Sequence, residues 1–173
     1  MIEPAPPYRG EGQHALWHVS EDAAIERFAP RGGKVWAIDT RHLPLYWFPR
    51  ECPRATFWAK SGTTEEDVDE LLGGDRSRRV HVVEPEWLDA LHKTRVFAYR
   101  MQPETFERWD RFWISSTTVE PLERVELGDL VERHAKANIE LAVDDDLPAL
   151  WQRVIASTLD FSGIRLRNAS MAQ

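Results

Sequence analysis

The chain has 173 residues, 42% of them apolar and 29% charged, a composition of soluble globular domains rather than of disordered chains. Its 22 basic and 29 acidic residues give a formal charge of −7, which disfavours nucleic acid as a routine partner and anionic membranes as a surface. No apolar run approaches the roughly 18 residues of a membrane-spanning helix, the N-terminus lacks a secretory pattern, and one cysteine, Cys52, excludes an internal disulfide. The expectation is a cytoplasmic protein with no membrane partner.

Pro4, Pro6, Pro7, Gly10 and Gly12 stud residues 1–13, which read as a flexible arm, with a single globular domain over 14–173. Residues 15–20 are strand-like, and the apolar run 35–38 is too short for a helix. Asp39 and Thr40 could cap a buried helix through residue 48, with Pro44 tolerable only in its first turn and Pro49 ending it. Residues 55–59 form the next strand. Thr64 opens a short acidic helix that stops at Gly73-Gly74. Residues 79–83 are rich in β formers. Trp87, Leu88 and Leu91 stand at helical spacing within 85–93.

A strand over 96–101 precedes a short helix candidate at 103–110. Residues 112–115 and 122–127 are strands flanking Pro121, the second with a broken alternation that suggests a bulge or bend. A helix over 129–137, a strand over 139–143 and an amphipathic helix over 147–158 complete the chain. Asp144, Asp145 and Asp146 mark the start of that last helix, where acids suit the positive end of the helix dipole. Strands and helices do not alternate regularly, so the pattern predicts an α+β fold with a mixed, mostly antiparallel sheet.

The chain carries no glycine-rich nucleotide loop and no nucleophile elbow, and Arg31-Gly32-Gly33-Lys34 reads as a turn. The six histidines show no zinc motif, and no metal is expected; His14 and His18 stand four apart, too far along a strand to converge. Cys52 lies between Arg50 and Arg54, whose charges would favour thiolate, against the plainer reading of a buried small apolar residue. Those arginines, set around Pro49 and Pro53, could present a fork to phosphate or carboxylate, or could pair with Glu51. Alternation puts Leu16, His18 and Ser20 on one strand face, so an imidazole and a hydroxyl could meet one ligand. Arg165 and Arg167 would share a basic face if the tail were extended, free for an anion or an acidic partner.

Several segments resemble an uncharacterised bacterial family of about this length that has no assigned activity: Leu16-Trp17-His18-Val19-Ser20, Ile25-Glu26-Arg27-Phe28-Ala29-Pro30-Arg31, Val35-Trp36-Ala37-Ile38-Asp39, Phe48-Pro49-Arg50-Glu51-Cys52-Pro53-Arg54 and the tail 157–168. A strand ending His-x-Ser, followed by Val-Trp-Ala and an aromatic-bearing helix, is also similar to the opening of the ADP-ribosyltransferase fold. That resemblance implies an ADP-ribosyltransferase-like core with NAD as substrate. His18 and Ser20 would hold the ribose and the nicotinamide amide, Tyr46 or Trp47 would stack on the ring, and Trp113 would line the cleft. Arg50, Arg54 and Arg165 would take the diphosphate, and a glutamate on a late strand would stabilise the oxocarbenium-like transition state. Thr117 and Thr118 stand where that glutamate is expected, and Glu120 follows two or three residues on. The alternatives are an enzyme acting on a non-nucleotide small molecule with His18 as acid or base, and a non-catalytic interaction module.

Overall fold

Ten short strands and four helices make up the described part of the computed structural model, residues 15–170. The arm expected over residues 1–13 lies outside the described residues. The described chain divides into two compact units, one built from 15–50 with 94–130, the other from 51–93 with 131–170.

The first unit is a six-stranded antiparallel sheet. Its strands are β1 (Leu16–Ser20), β2 (Val35–Asp39), β5 (Phe97–Met101), β6 (Glu107–Trp109), β7 (Phe112–Ser115) and β8 (Pro121–Glu126), in the order β6-β7-β2-β1-β5-β8. Side chains alternate between its faces, so register partners share a face. Leu16 of β1, Val35 and Ala37 of β2, and Phe97, Tyr99 and Met101 of β5 build the core on one face. Phe28 and Val119, joined by backbone hydrogen bonds of 2.9 and 3.0 Å, close that core from the connecting loops. A tight turn, Arg31-Gly32-Gly33-Lys34, leads into β2, its ends bonded to each other. Both central residues have positive φ (59° and 78°), the hairpin geometry that glycine adopts without a Cβ penalty.

The second unit holds β3 (Arg54–Trp58), β4 (Arg79–Val83), β9 (Glu140–Val143) and β10 (Asp160–Ile164), in the order β10-β3-β4-β9, with β4–β9 the parallel pair. Ala55, Phe57, Val80 and Val82 pack one face against α1 (Glu65–Leu72) and α4 (Leu147–Ala156). Helix α1 starts where Thr64 Oγ1 accepts from the Asp67 N–H at 3.3 Å, and it ends at left-handed Gly73. Helix α4 is capped by Asp146, which accepts from the Ala149 N–H at 3.0 Å. Two further helices, α2 (Leu88–Lys93) and α3 (Leu130–Lys136), are short. No helix among the described residues is long and apolar enough to cross a membrane.

On β10, Gly163 has an ordinary φ, but a Cβ there would stand 2.6 Å from Leu166 Cδ1 and 2.7 Å from two ring carbons of Trp151. Trp151 is in turn fixed edge-on against Phe161. Gly163→Ala is therefore expected to cost about 1–3 kcal/mol by overpacking, read as a lower denaturation midpoint; an unchanged midpoint would show that the indole can move aside.

The α+β class and the mostly antiparallel sheets agree with the sequence pattern. Three local expectations do not hold. Residues 103–110 form a 3-10 turn, Pro103–Thr105, and then strand β6, because Phe106 turns into the core and Glu107–Trp109 pair with β7. Residues 39–48 contain only one helical turn, Leu43–Tyr46, with Pro44 at its start and Trp47 already out of helical geometry. The tail is not extended through Arg165: that residue adopts φ 56°, Leu166–Asn168 form a 3-10 turn, and a shared Arg165/Arg167 strand face does not form.

Candidate functional site

His18 lies on the core face of β1, half-buried, with its register partner Tyr99 on β5. Its Nδ1 is 2.8 Å from the Trp36 carbonyl oxygen of β2. A carbonyl can only accept, so Nδ1 carries the proton and Nε2 of the neutral ring is an acceptor. The ring tilts over Phe28 at 4.7 Å, and Phe28 stands edge-on to Tyr99 at 5.3 Å. Burial pulls the imidazole pKa below its ordinary value, against the Trp36 hydrogen bond, and the Arg31 and Arg50 guanidiniums lower it further. The result is a neutral, oriented imidazole within the field of two cations.

The loop after β1 is held in place by short hydrogen bonds. Ser20 Oγ accepts from the Asp22 N–H at 3.1 Å, and Asp22 accepts from the Ala24 N–H at 2.8 Å. The Tyr99 hydroxyl donates to the Asp22 carbonyl at 2.6 Å. Glu21 accepts from the Arg50 N–H at 2.7 Å, which brings Arg50 to the end of β1.

His18, Ser20 and Arg50 are thus gathered at one end of β1. Tyr46 ends the helical turn and is half-buried. Trp47 is wholly buried, a packing side chain with no ring face presented to solvent. Trp113 on β7 packs against the core cluster from its edge. Glu120 is at the surface, paired with Arg27 at 3.1 Å, and the charges acting on His18 are the two guanidiniums rather than this carboxylate. Arg54 and Arg165 belong to the four-stranded unit. Arg54 is buried and donates to the Cys52 carbonyl at 3.0 Å, while Arg165 lies 3.5 Å from Glu51. Cys52 is fully buried, and burial outweighs Arg54 to push its thiol up to about 12, so it is protonated and inert at neutral pH.

Sequence reasoning passed over Arg31, Phe28 and Tyr99. Arg31 read as part of a plain turn, and only in the folded chain does its charge act on His18. It also passed over a buried polar face on the four-stranded unit. Arg54 and Thr56 of β3 share that face with Arg79 and His81 of β4, by their register. His81 Nδ1 is 2.9 Å from His134 Nε2 of α3, both imidazoles wholly buried, and Arg79 stacks on Trp58 with Cζ 4.8 Å from the ring centroid. The two histidines stand 53 residues apart in the chain, so no local motif could announce them. Burial, with His134, Arg79 and Arg54 adding, holds the His81 pKa well below its ordinary value.

Neither the curated proteins nor the solved structures contain a match to this chain. The model of a family of unknown function, DUF6886, matches residues 17–169, from the first strand through the last helical turn, and the chain belongs to that family.

Proposed function

We propose that the chain binds a nucleotide of the NAD class at the His18 face of the six-stranded unit, as a protein with an ADP-ribosyltransferase-like core. One observation carries the reading: the Trp36 carbonyl holds His18 as a hydrogen-bond acceptor at Nε2, and the Arg31 and Arg50 charges act on the same ring. An acceptor suits a ribose hydroxyl, and guanidiniums suit a diphosphate. The arrangement favours binding over group transfer, because Glu120 is engaged by Arg27.

Calorimetry with NAD, ADP-ribose and nicotinamide tests this. NAD and ADP-ribose are expected to bind. His18→Ala is expected to weaken them about 3–10-fold, the size of one net hydrogen bond. Joint replacement of Arg31 and Arg50 by Ala is expected to weaken them about 10–100-fold, since hydrogen bonds to charged groups are stronger. Binding should also weaken under acid conditions, at a pH below the ordinary imidazole value because burial depresses the His18 pKa, since protonation turns Nε2 from acceptor into donor. No heat at millimolar ligand with folded protein removes the proposal.

The same bare Nε2 supports a second reading, general-base action on a non-nucleotide small molecule. An acid limb in a pH–rate profile that disappears in His18→Ala would favour it; a profile unchanged by the substitution would remove it.

A further inference from the structure

The opposite face of the six-stranded sheet carries a second constellation of side chains, apart from the His18 ring. Trp36 of β2 alternates away from the core, and its register partner is Ile114 of β7, which in turn faces Glu107 of β6. Trp109 and Phe112 pair across the β6–β7 hairpin on that same face. The two indoles meet at 5.3 Å between centroids with an interplanar angle of 71°, and Phe112 stands at 89° to Trp36 at 5.7 Å. Trp36 is 38% and Trp109 51% exposed, although large aromatics of this kind are ordinarily drawn inward.

The indoles form two walls at a steep angle, and a cation already occupies the notch between them. Lys34 Nζ lies 5.8 Å from the Trp36 centroid and 5.2 Å from that of Trp109. These distances lie within the roughly 6 Å over which a ring quadrupole attracts a cation. The tight Gly32-Gly33 turn sets Lys34 at the entrance to β2 and so delivers the ammonium to the rings. The exposed Glu107, two residues before Trp109 on the same strand face, adds negative charge beside the walls. A lysine ammonium is strongly hydrated, whereas a methylated ammonium sheds water readily and offers methyl groups to both rings.

We propose that the Trp36, Trp109 and Phe112 walls, with Glu107 beside them, form a binding site for a quaternary or methylated ammonium group, which the Lys34 side chain occupies in the free protein. The ligand displaces an internal competitor, so removing Lys34 strengthens binding.

The test is an NMR titration of the indole N–H signals of the full chain with three probes: tetramethylammonium, choline, and 3,3-dimethylbutan-1-ol, the uncharged analogue of choline. Choline and tetramethylammonium are expected to shift the Trp36 and Trp109 signals saturably, and Lys34→Ala to tighten both about 3–5-fold, the share of a modest exposed cation–π contact. Glu107→Gln is expected to weaken them about 2-fold. Trp109→Ala, at the sheet edge, is expected to abolish binding while the remaining indole signals stay in place, which shows the fold is intact. Equal shifts with the uncharged analogue would reduce the site to an apolar patch and overturn the proposal. So would the absence of a shift in Lys34→Ala at tens of millimolar choline.

Discussion

Lowering the pH from 7.5 to 5.0 is expected to remove folding stability through His81, by at most about 2 kcal/mol of proton linkage. His81 is wholly buried on β4, 2.9 Å from His134 on α3, with Arg54 of β3 and Arg79 of β4 acting on it. Its folded pKa lies well below the ordinary value, so the folded state holds it neutral while the unfolded chain protonates it near pH 6.5. The unfolded state then binds more protons, and stability falls as the pH drops below that value, by up to about 1.4 kcal/mol per pH unit. His18, also depressed, acts in the same direction. Asp39, Asp67, Asp75 and Glu126 also have lowered pKa values, but they contribute mainly below pH 5, so the window above it reports chiefly histidine. Urea denaturation at pH 7.5, 6.5, 5.5 and 5.0 measures the effect. A midpoint that does not move across that range would show that the imidazole pair admits a proton in the folded state. His81→Gln, which cannot titrate, should reduce the dependence to the share left to His18, even if it lowers the midpoint at every pH.

Trp17→Ala is expected to cost about 3–5 kcal/mol, the usual range for deleting a fully buried tryptophan. Trp17 is 1% exposed on β1, between its register partners Ile38 on β2 and Arg100 on β5. Its indole Nε1 donates to Thr40 Oγ1 at 2.9 Å, so truncation also strips the hydroxyl of its partner. For a chain of this length the loss corresponds to a fall in melting temperature of about 6–20 °C. Trp17→Phe keeps most of the packing and loses the hydrogen bond, and should give the smaller part of that shift. Calorimetric melts of the two variants separate packing from hydrogen bonding. A melting temperature within 2 °C or so of the parent for Trp17→Ala would mean that the strand repacks around the hole.

The elements most legible in the chain were those with strong local signals. Thr64 and the Gly73-Gly74 pair bracket α1 because a side-chain cap and a left-handed stop act within a few residues. The strand Arg79–Val83 was readable from its β-branched run. The broken alternation after Pro121 corresponds to a register shift between Arg100 and Met101 opposite β8. The segment Glu107–Trp109 was not legible, since its charged residues have no strong local preference and only pairing with β7 makes it a strand.

The candidate site divides along the same line. Sequence by itself determined that His18 and Ser20 share a strand face, that no glycine-rich phosphate loop exists, and that Cys52 has no cysteine partner, because periodicity and motif spacing are local properties. Only the tertiary structure decided which groups meet. It tied His18 to the Trp36 carbonyl, let the Arg31 and Arg50 charges act on its ring, left Glu120 with Arg27, and buried His81 against His134. Protonation states followed from those meetings, since desolvation and neighbouring charge depend on what surrounds a group in space rather than on its neighbours along the chain.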